Sequence, residues 1–119
     1  MAASVVAPLS DPTPSTTVGA LDAPARHELA GQLLAEAEQC ADSAKVASLR
    51  EEAVLLSLDL PERVARRYRG RGIDSDDLVQ VGRMALVKAA HGYRAGLGTG
   101  FASYALPTIV GEVKRHFRD

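Results

Sequence analysis

The chain is poor in cysteine and aromatic residues, and it has no long apolar run. Because Cys40 is the only thiol among the 119 residues, neither an internal disulfide nor a thiolate metal cluster can form. No apolar stretch approaches the roughly 18 residues that span a bilayer. The N-terminus also lacks the basic segment and apolar block of a secretory signal. We therefore expect a protein with no membrane segment, in the cytoplasm.

The hydrophobic residues of the chain are mostly aliphatic residues and alanine. Hydrophobic residues make up 46% of the chain and aromatic residues only 4%. A core built from leucine, valine and alanine suits helices better than a sandwich of strands. No segment alternates apolar and polar residues as a half-buried strand does. The sequence therefore predicts an all-α fold, a compact bundle of three or four helices.

Charge is distributed unevenly along the chain. Residues 1–60 carry three Lys/Arg against nine Asp/Glu, a balance of −6, and residues 61–119 carry eleven against six, a balance of +5. Such asymmetry is typical of a basic partner-binding surface beside an acidic region, although two ordinary solvated faces give the same composition.

The chain divides into a tail and one domain. Residues 1–21 are rich in Ala, Pro, Ser and Thr and carry one charge, Asp11. We expect this tail to be disordered because it cannot bury enough apolar area to offset its backbone entropy. Residues 22–119 form the predicted helical domain. Asp22 is the expected N-cap of a first helix that runs to about Ala41.

Two further helical segments follow before a glycine-rich loop. Asp42 or Ser43 begins the second, and Pro61 should kink or interrupt it. The pattern then resumes and ends near residues 70–72, so one bent helix or two shorter ones fit equally well. Asp74 caps the next helix, in which Gly82 indicates close approach of a neighbouring helix. Residues 91–100 then lead into a final helix.

No constellation for catalysis or cofactor binding is evident. The histidines, His27, His91 and His116, fall on separate elements without the spacing of metal ligands. The glycines between residues 96 and 100 lack the strand that precedes a dinucleotide-binding loop. We expect no metal, no cofactor and no enzymatic activity.

The closing segment, FASYALPTIVGEVKRHFRD, combines aromatic and basic residues. Phe101 and Tyr104 are expected to be exposed, close to Lys114, Arg115 and Arg118 at helical spacing. Aromatic faces for base stacking beside cations for phosphate are typical of proteins that read single-stranded nucleic acid. For Phe101 the alternative is a core position in the first helical turn.

A second basic run lies earlier in the chain. It consists of Arg63, Arg66, Arg67, Arg69 and Arg71. Such a run could follow a phosphate backbone or face an acidic protein. Composition does not choose between these two partners.

Residues 65–90, ARRYRGRGIDSDDLVQVGRMALVKAA, followed by the closing segment, resemble region 2 of the sigma-70 family of bacterial RNA polymerase sigma factors. The string PTIVGE with KRHFRD resembles in particular the stress and sporulation sigma-B/F/G group of the actinobacterial type. The resemblance covers roughly residues 45–119, and residues 22–44 resemble the conserved segment that precedes region 2. It implies a non-enzymatic protein that binds core RNA polymerase and directs recognition and melting of the promoter minus-ten element.

The resemblance also implies two sets of contact residues. On the helix that follows Asp74, the family binds the clamp helices of the largest polymerase subunit. The matching positions are Asp77, Leu78, Gln80, Gly82 and Leu86. Val81 stands where the family often has an acidic residue, which puts a polar contact there in question.

The second implied set binds promoter DNA, where the family captures the non-template strand and flips out one adenine. The matching positions are Tyr93, Phe101, Ser103, Tyr104, Glu112, Lys114 and Arg115. Tyr104 is expected to stack on the base, with Tyr93 and Phe101 as walls or supports. Ser103 would donate to a base or a phosphate. The last three residues would read the upstream duplex edge, through phosphate or a guanine edge.

Two departures shape the hypotheses. Pro107 and Thr108 stand where housekeeping sigma factors carry tryptophans, which implies a weaker melting wedge and stricter promoter choice. Family members also continue well beyond region 2. A second hypothesis is therefore a truncated sigma-like module that docks on polymerase or on an anti-sigma factor without initiating transcription.

Overall fold

The computed structural model describes residues 21–118, which form five α-helices. They are α1 (Ala23–Glu38), α2 (Ser43–Leu56), α3 (Asp59–Arg67), α4 (Ser75–Gly92) and α5 (Phe101–Arg118), with a 3-10 turn at Ala95–Leu97. No strand occurs between residues 21 and 118, so the all-α prediction is confirmed, with more helices than expected. The predicted disordered tail lies, apart from Leu21, outside the described residues. Among the described helices, none is long and apolar enough to cross a membrane.

Three helix starts are fixed by aspartate side chains, as the sequence predicts. Asp22, Asp42 and Asp74 each accept a hydrogen bond from a backbone N–H two or three residues further on, at 3.0, 3.0 and 2.8 Å. Each bond satisfies one of the N–H groups that a helix start leaves without an intrahelical partner. Of the two alternatives for the second helix, Asp42 is the N-cap.

The chain between residues 43 and 67 forms two helices rather than one bent helix. The break falls at Ser57 and Leu58, ahead of Pro61. Ser57 is buried, and its hydroxyl donates to the Ala53 carbonyl at 3.0 Å. Pro61 is the third residue of α3, where a backbone N–H has no intrahelical partner to lose. The proline therefore belongs to the first turn of α3, and the interruption precedes it.

The close approach predicted at Gly82 is the contact between α4 and α3. A Cβ added to Gly82 would lie 2.7 Å from the Cβ of Pro61, so only glycine fits without movement. The core beneath this contact is formed by α3, α4 and α5, with α1 packed on α2 and on α5. Its largest fully buried side chains are Phe101, Leu60, Leu78, Leu86, Ile109 and Val113.

Candidate nucleic-acid interface

Helix α5 has one buried face and a broad exposed face. Phe101, Ala105, Ile109 and Val113 recur every four residues and are all buried. The exposed face carries Pro107, around which the helix continues without a break. Since a residue eleven positions further on returns to nearly the same direction, Ser103 aligns with Lys114, and Tyr104 aligns with Arg115.

The three aromatic residues assigned to base binding form one cluster. Tyr93 lies with its ring centroid 5.4 Å from that of Phe101 and 5.4 Å from that of Tyr104, in edge-to-face contacts. The Tyr93 hydroxyl donates to the Thr99 carbonyl at 2.7 Å, which ties the cluster to the loop before α5. Tyr104 therefore rests on a ring that is itself held by packing and by a hydrogen bond.

The expectation that Phe101 is exposed is wrong. Phe101 is only 2% exposed and Tyr93 only 6%, whereas Tyr104 is half-buried. The reason is the phase of α5, because its first residue begins the buried i, i+4 row. No base can stack on Phe101 or Tyr93 in this conformation, because both rings are buried in the core.

The position of Tyr104 depends on a glycine in α4. A Cβ added to Gly92 would lie 2.8 Å from the Tyr104 hydroxyl oxygen. The tyrosine hydroxyl therefore occupies space that any other residue at this position would fill. The sequence gives no sign of this contact, because Gly92 reads as the start of the flexible loop.

Ser103 lies at a different edge of α5. It is exposed and borders a surface depression of about 440 Å³ between the starts of α1 and α5, which Arg63 and His27 also line. Below it, Nε2 of His27 lies 3.0 Å from both carboxylate oxygens of Asp59, which joins α1 to α3. The depression is thus built on a fixed contact between helices.

The three residues assigned to the upstream DNA edge have different surroundings. Oε2 of Glu112 lies 3.2 Å from Nζ of Lys88 and 3.2 Å from Nη1 of Arg115. Arg115 therefore already has a carboxylate partner, on the side of α5 that faces α4. Lys114 is exposed and has no carboxylate within 4.0 Å among residues 21–118.

On α4, the assigned contact residues divide between inside and outside. Asp77 and Gln80 are exposed, but Leu78 and Leu86 are fully buried and Gly82 faces Pro61. The assignment of those three apolar positions to a partner-binding face is therefore corrected: they are core residues. Their motif positions coincide with the stripe of α4 that packs on α3 and α5.

Sequence reasoning missed two apolar residues on the outer face of α4. Met84 is 73% exposed and Val87 is 42% exposed. Val87 and the exposed Leu55 of α2 line an apolar depression of about 430 Å³. The signal was available in the spacing, because Met84 lies four residues beyond the exposed Gln80 and Val87 three beyond Met84.

Known proteins similar to this chain are RNA polymerase sigma factors. RNA polymerase sigma factor SigF of Mycobacterium tuberculosis is 50% identical over 70 residues, which cover 59% of this chain and 27% of the relative. RNA polymerase sigma-F factor of Kitasatospora aureofaciens is 39% identical over 72 residues, covering 59% and 24%. A putative RNA polymerase sigma-G factor of Bacillus thuringiensis is 40% identical over 72 residues, covering 60% and 58%.

These alignments span about a quarter of the two sigma-F relatives and somewhat over half of the putative sigma-G factor. The family described as Sigma-70 region 2 matches residues 57–119, more than half of the chain. The matched residues include α3, α4 and α5, which carry both sets of expected contacts. The resemblance noted in the sequence is confirmed, and the chain belongs to the sigma-70 family through its region 2.

Proposed function

We propose that this chain acts as a sigma factor domain: it binds core RNA polymerase and directs recognition and opening of the promoter minus-ten element. The observation that carries the proposal is the half-buried Tyr104, which packs edge-to-face on the buried Tyr93 ring, near the start of the exposed helix face that also carries Lys114 and Arg115. A rigid aromatic platform beside cations suits capture of an unstacked base.

The expected DNA contacts follow from the two edges of α5. Flipping a base out of the duplex costs a few kcal/mol of free energy, and stacking of that base on Tyr104 would offset about 1–3 kcal/mol of this cost. Ser103 can donate to the strand, and Lys114 is available for phosphate. Arg115 would exchange its pair with Glu112 for a phosphate or a guanine edge, so Glu112 acts by holding the guanidinium in place beforehand.

Docking on polymerase is assigned to the outer face of α4. We take this face to consist of Asp77, Gln80, Met84 and Val87, which are all exposed. An exposed methionine and valine between polar residues suit helix-on-helix packing against the clamp helices of the largest subunit. An anti-sigma factor would compete for the same face. Polymerisation chemistry belongs to the partner enzyme.

The test is binding of a fluorescent single-stranded oligonucleotide that carries a minus-ten sequence, with the chain alone and in complex with core polymerase. Tyr104→Ala should weaken binding by about 1–3 kcal/mol, roughly 5- to 150-fold. Tyr104→Phe keeps the ring and serves as the matched control, with affinity close to that of the wild type.

The outcomes separate the two hypotheses. If the wild-type chain does not bind the oligonucleotide even in complex with polymerase, promoter reading is rejected. Capture of core polymerase by that same chain would then favour the module that docks without initiating transcription. If Tyr104→Ala binds as well as the wild type, another residue provides the stacking surface.

A further inference from the structure

The five arginines between residues 63 and 71 do not all border the same surface depression. Arg66 and Arg69 line a polar groove of about 460 Å³ between α3 and α4. Arg63 instead lines the depression that it shares with Ser103 of α5. Arg67 follows Arg63 by four residues, so it lies on the same side of the helix.

Arg71 continues this side beyond the end of α3. Gly70 and Gly72 have φ angles of 82° and 91°, which let the chain turn tightly there. Cζ of Arg71 lies 5.6 Å from the centroid of the Tyr68 ring, and that ring lies 5.2 Å from the ring of Phe117. The cation–π contact thus places Arg71 beside the last turn of α5.

We call Arg63, Arg67 and Arg71 the arginine row. Its first member borders the first turn of α5, and its last member lies beside the last turn of that helix. All three are exposed. None has a carboxylate within 4.0 Å in the part of the chain that the structure describes. Glu28 borders the same depression as Arg63 without pairing with it. The row presents guanidinium groups that lack an anionic partner.

We propose that the arginine row binds alternate phosphates of the DNA strand that lies along α5. This inference rests on the proposed promoter-binding function and extends it to a second helix. Arg63 and Arg67 lie about 6 Å apart along the helix axis. That is close to the rise of about 6.8 Å over two nucleotides of one duplex strand. The planar fork of arginine suits phosphate geometry.

The geometry favours DNA over an acidic protein as the partner of the row. The row flanks the stripe of α5 that carries Ser103 and Lys114, which are the polar and basic groups available for a backbone. The face assigned to polymerase lies on α4, where Gln80 borders the groove that contains Arg66 and Arg69. The row would therefore hold the strand in register without reading its sequence.

The experiment measures how affinity for duplex and single-stranded minus-ten DNA changes with salt, using the full chain in complex with core polymerase. For Arg63→Ala/Arg67→Ala, the slope of log K against log salt should become shallower by about 1.8 for duplex or about 1.4 for a single strand. Affinity at 0.1 M salt should fall by tens of fold. The fold of each variant is checked by circular dichroism.

Two controls are available within the same segment. Arg66→Ala/Arg69→Ala removes the same charge from the groove between α3 and α4, and its salt slope should equal that of the wild type. Arg63→Lys/Arg67→Lys keeps the charge, and its slope should also be unchanged. If the alanine variant fails to fold, the single charge reversal Arg67→Glu takes its place: it must weaken DNA binding, whereas the lysine variant must not.

Each other result contradicts the inference in a recognisable way. Equal losses in the row variant and its matched control would mean that overall charge, not the row, matters. An unchanged slope in the row variant, with Tyr104→Ala still impaired, would overturn the row and leave the proposed function intact. Weaker polymerase capture with unchanged DNA binding would assign the row to an acidic protein. A wild-type complex that binds no DNA would reject both proposals.

Discussion

The outer faces of α4 and α5 offer partners different chemistry, although the two helices pack against each other. On α4 the exposed residues include Met84 and Val87, an apolar surface between polar side chains. On α5 the half-buried Tyr104 presents an aromatic edge, and the exposed Lys114 presents a cation. One small bundle therefore presents a surface suited to protein docking beside one suited to nucleic acid.

The inner faces differ as well. Three of the five contact residues expected on α4 are buried, whereas on α5 only Phe101 is buried. A motif on an amphipathic helix covers every face, so its apolar residues record packing as much as partner contact. Exposed apolar residues such as Met84 are therefore better candidates for partner contact than the buried motif leucines.

The largest expected effect is a loss of stability from a substitution on the inner face of α4. Leu86→Ala should lower the free energy of unfolding by about 2–5 kcal/mol, because Leu86 is fully buried and its removal leaves a cavity in the core. Urea denaturation followed by circular dichroism measures the change. Any loss of polymerase binding in this variant should follow the fraction unfolded.

Met84→Ala is the matched control for Leu86→Ala. It lies two residues away on the same helix, but on the exposed side, so its unfolding free energy should stay within about 0.5 kcal/mol of the wild type. If Leu86→Ala proved equally mild, Leu86 would not belong to the core, and the corrected assignment on α4 would itself be wrong.

Local features of the fold could be predicted from the sequence, and features that depend on packing could not. The caps at Asp22 and Asp74 follow from a side chain and the next few backbone groups. An interruption near Pro61 was predicted, but its position at Ser57 and Leu58 was not, because the proline fits within the first turn of α3. The burial of Phe101 depends on the phase of α5 against the core.

The same division applies to the candidate site. Tyr104 and Lys114 were identified by residue type and by the family resemblance, and both have exposed surface. The pairing of Glu112 with Lys88 joins two residues, on α5 and α4, that are 24 positions apart in the sequence. Sequence reasoning therefore assigned Glu112 and Arg115 to one role without including Lys88. Which arginines lie beside α5 and which lie in the groove beside α4 could be seen only once the position of α3 against both helices was known.

An effect of intermediate size, on polymerase affinity, is expected from substitutions on the outer face of α4. Gln80→Ala/Met84→Ala should weaken capture of core polymerase by about 1–2 kcal/mol, roughly 5- to 30-fold, because the two residues lie one turn apart at the centre of the docking face. A titration of labelled chain against core enzyme measures the affinity.

The control for this variant removes one side chain near the start of α2, which does not line the depression that Val87 borders. Lys45→Ala on α2 breaks only an exposed pair with Glu36 at 3.6 Å and should leave both stability and polymerase affinity nearly unchanged. Unaltered affinity in Gln80→Ala/Met84→Ala would place the polymerase on another surface of the bundle.

The smallest expected effect tests the contact that couples α4 to α5. In Gly92→Ala the new methyl group would lie 2.8 Å from the Tyr104 hydroxyl, so the ring must shift on its support. Binding of the single-stranded minus-ten oligonucleotide should weaken by less than about 1 kcal/mol, under roughly fivefold. Stability should not fall, because alanine is the better helix former.

Gly31→Ala provides the comparison for Gly92→Ala. It makes the same substitution within α1, where the added methyl group would meet Cβ of Phe101 at 3.7 Å, an ordinary contact. It therefore places no atom against Tyr104 and should leave oligonucleotide affinity unchanged. Equal affinities for both variants and the wild type would mean that the hydroxyl end of Tyr104 tolerates movement. Stacking would then depend only on the part of the ring that rests against Tyr93, and α4 would contribute nothing to DNA binding through Gly92.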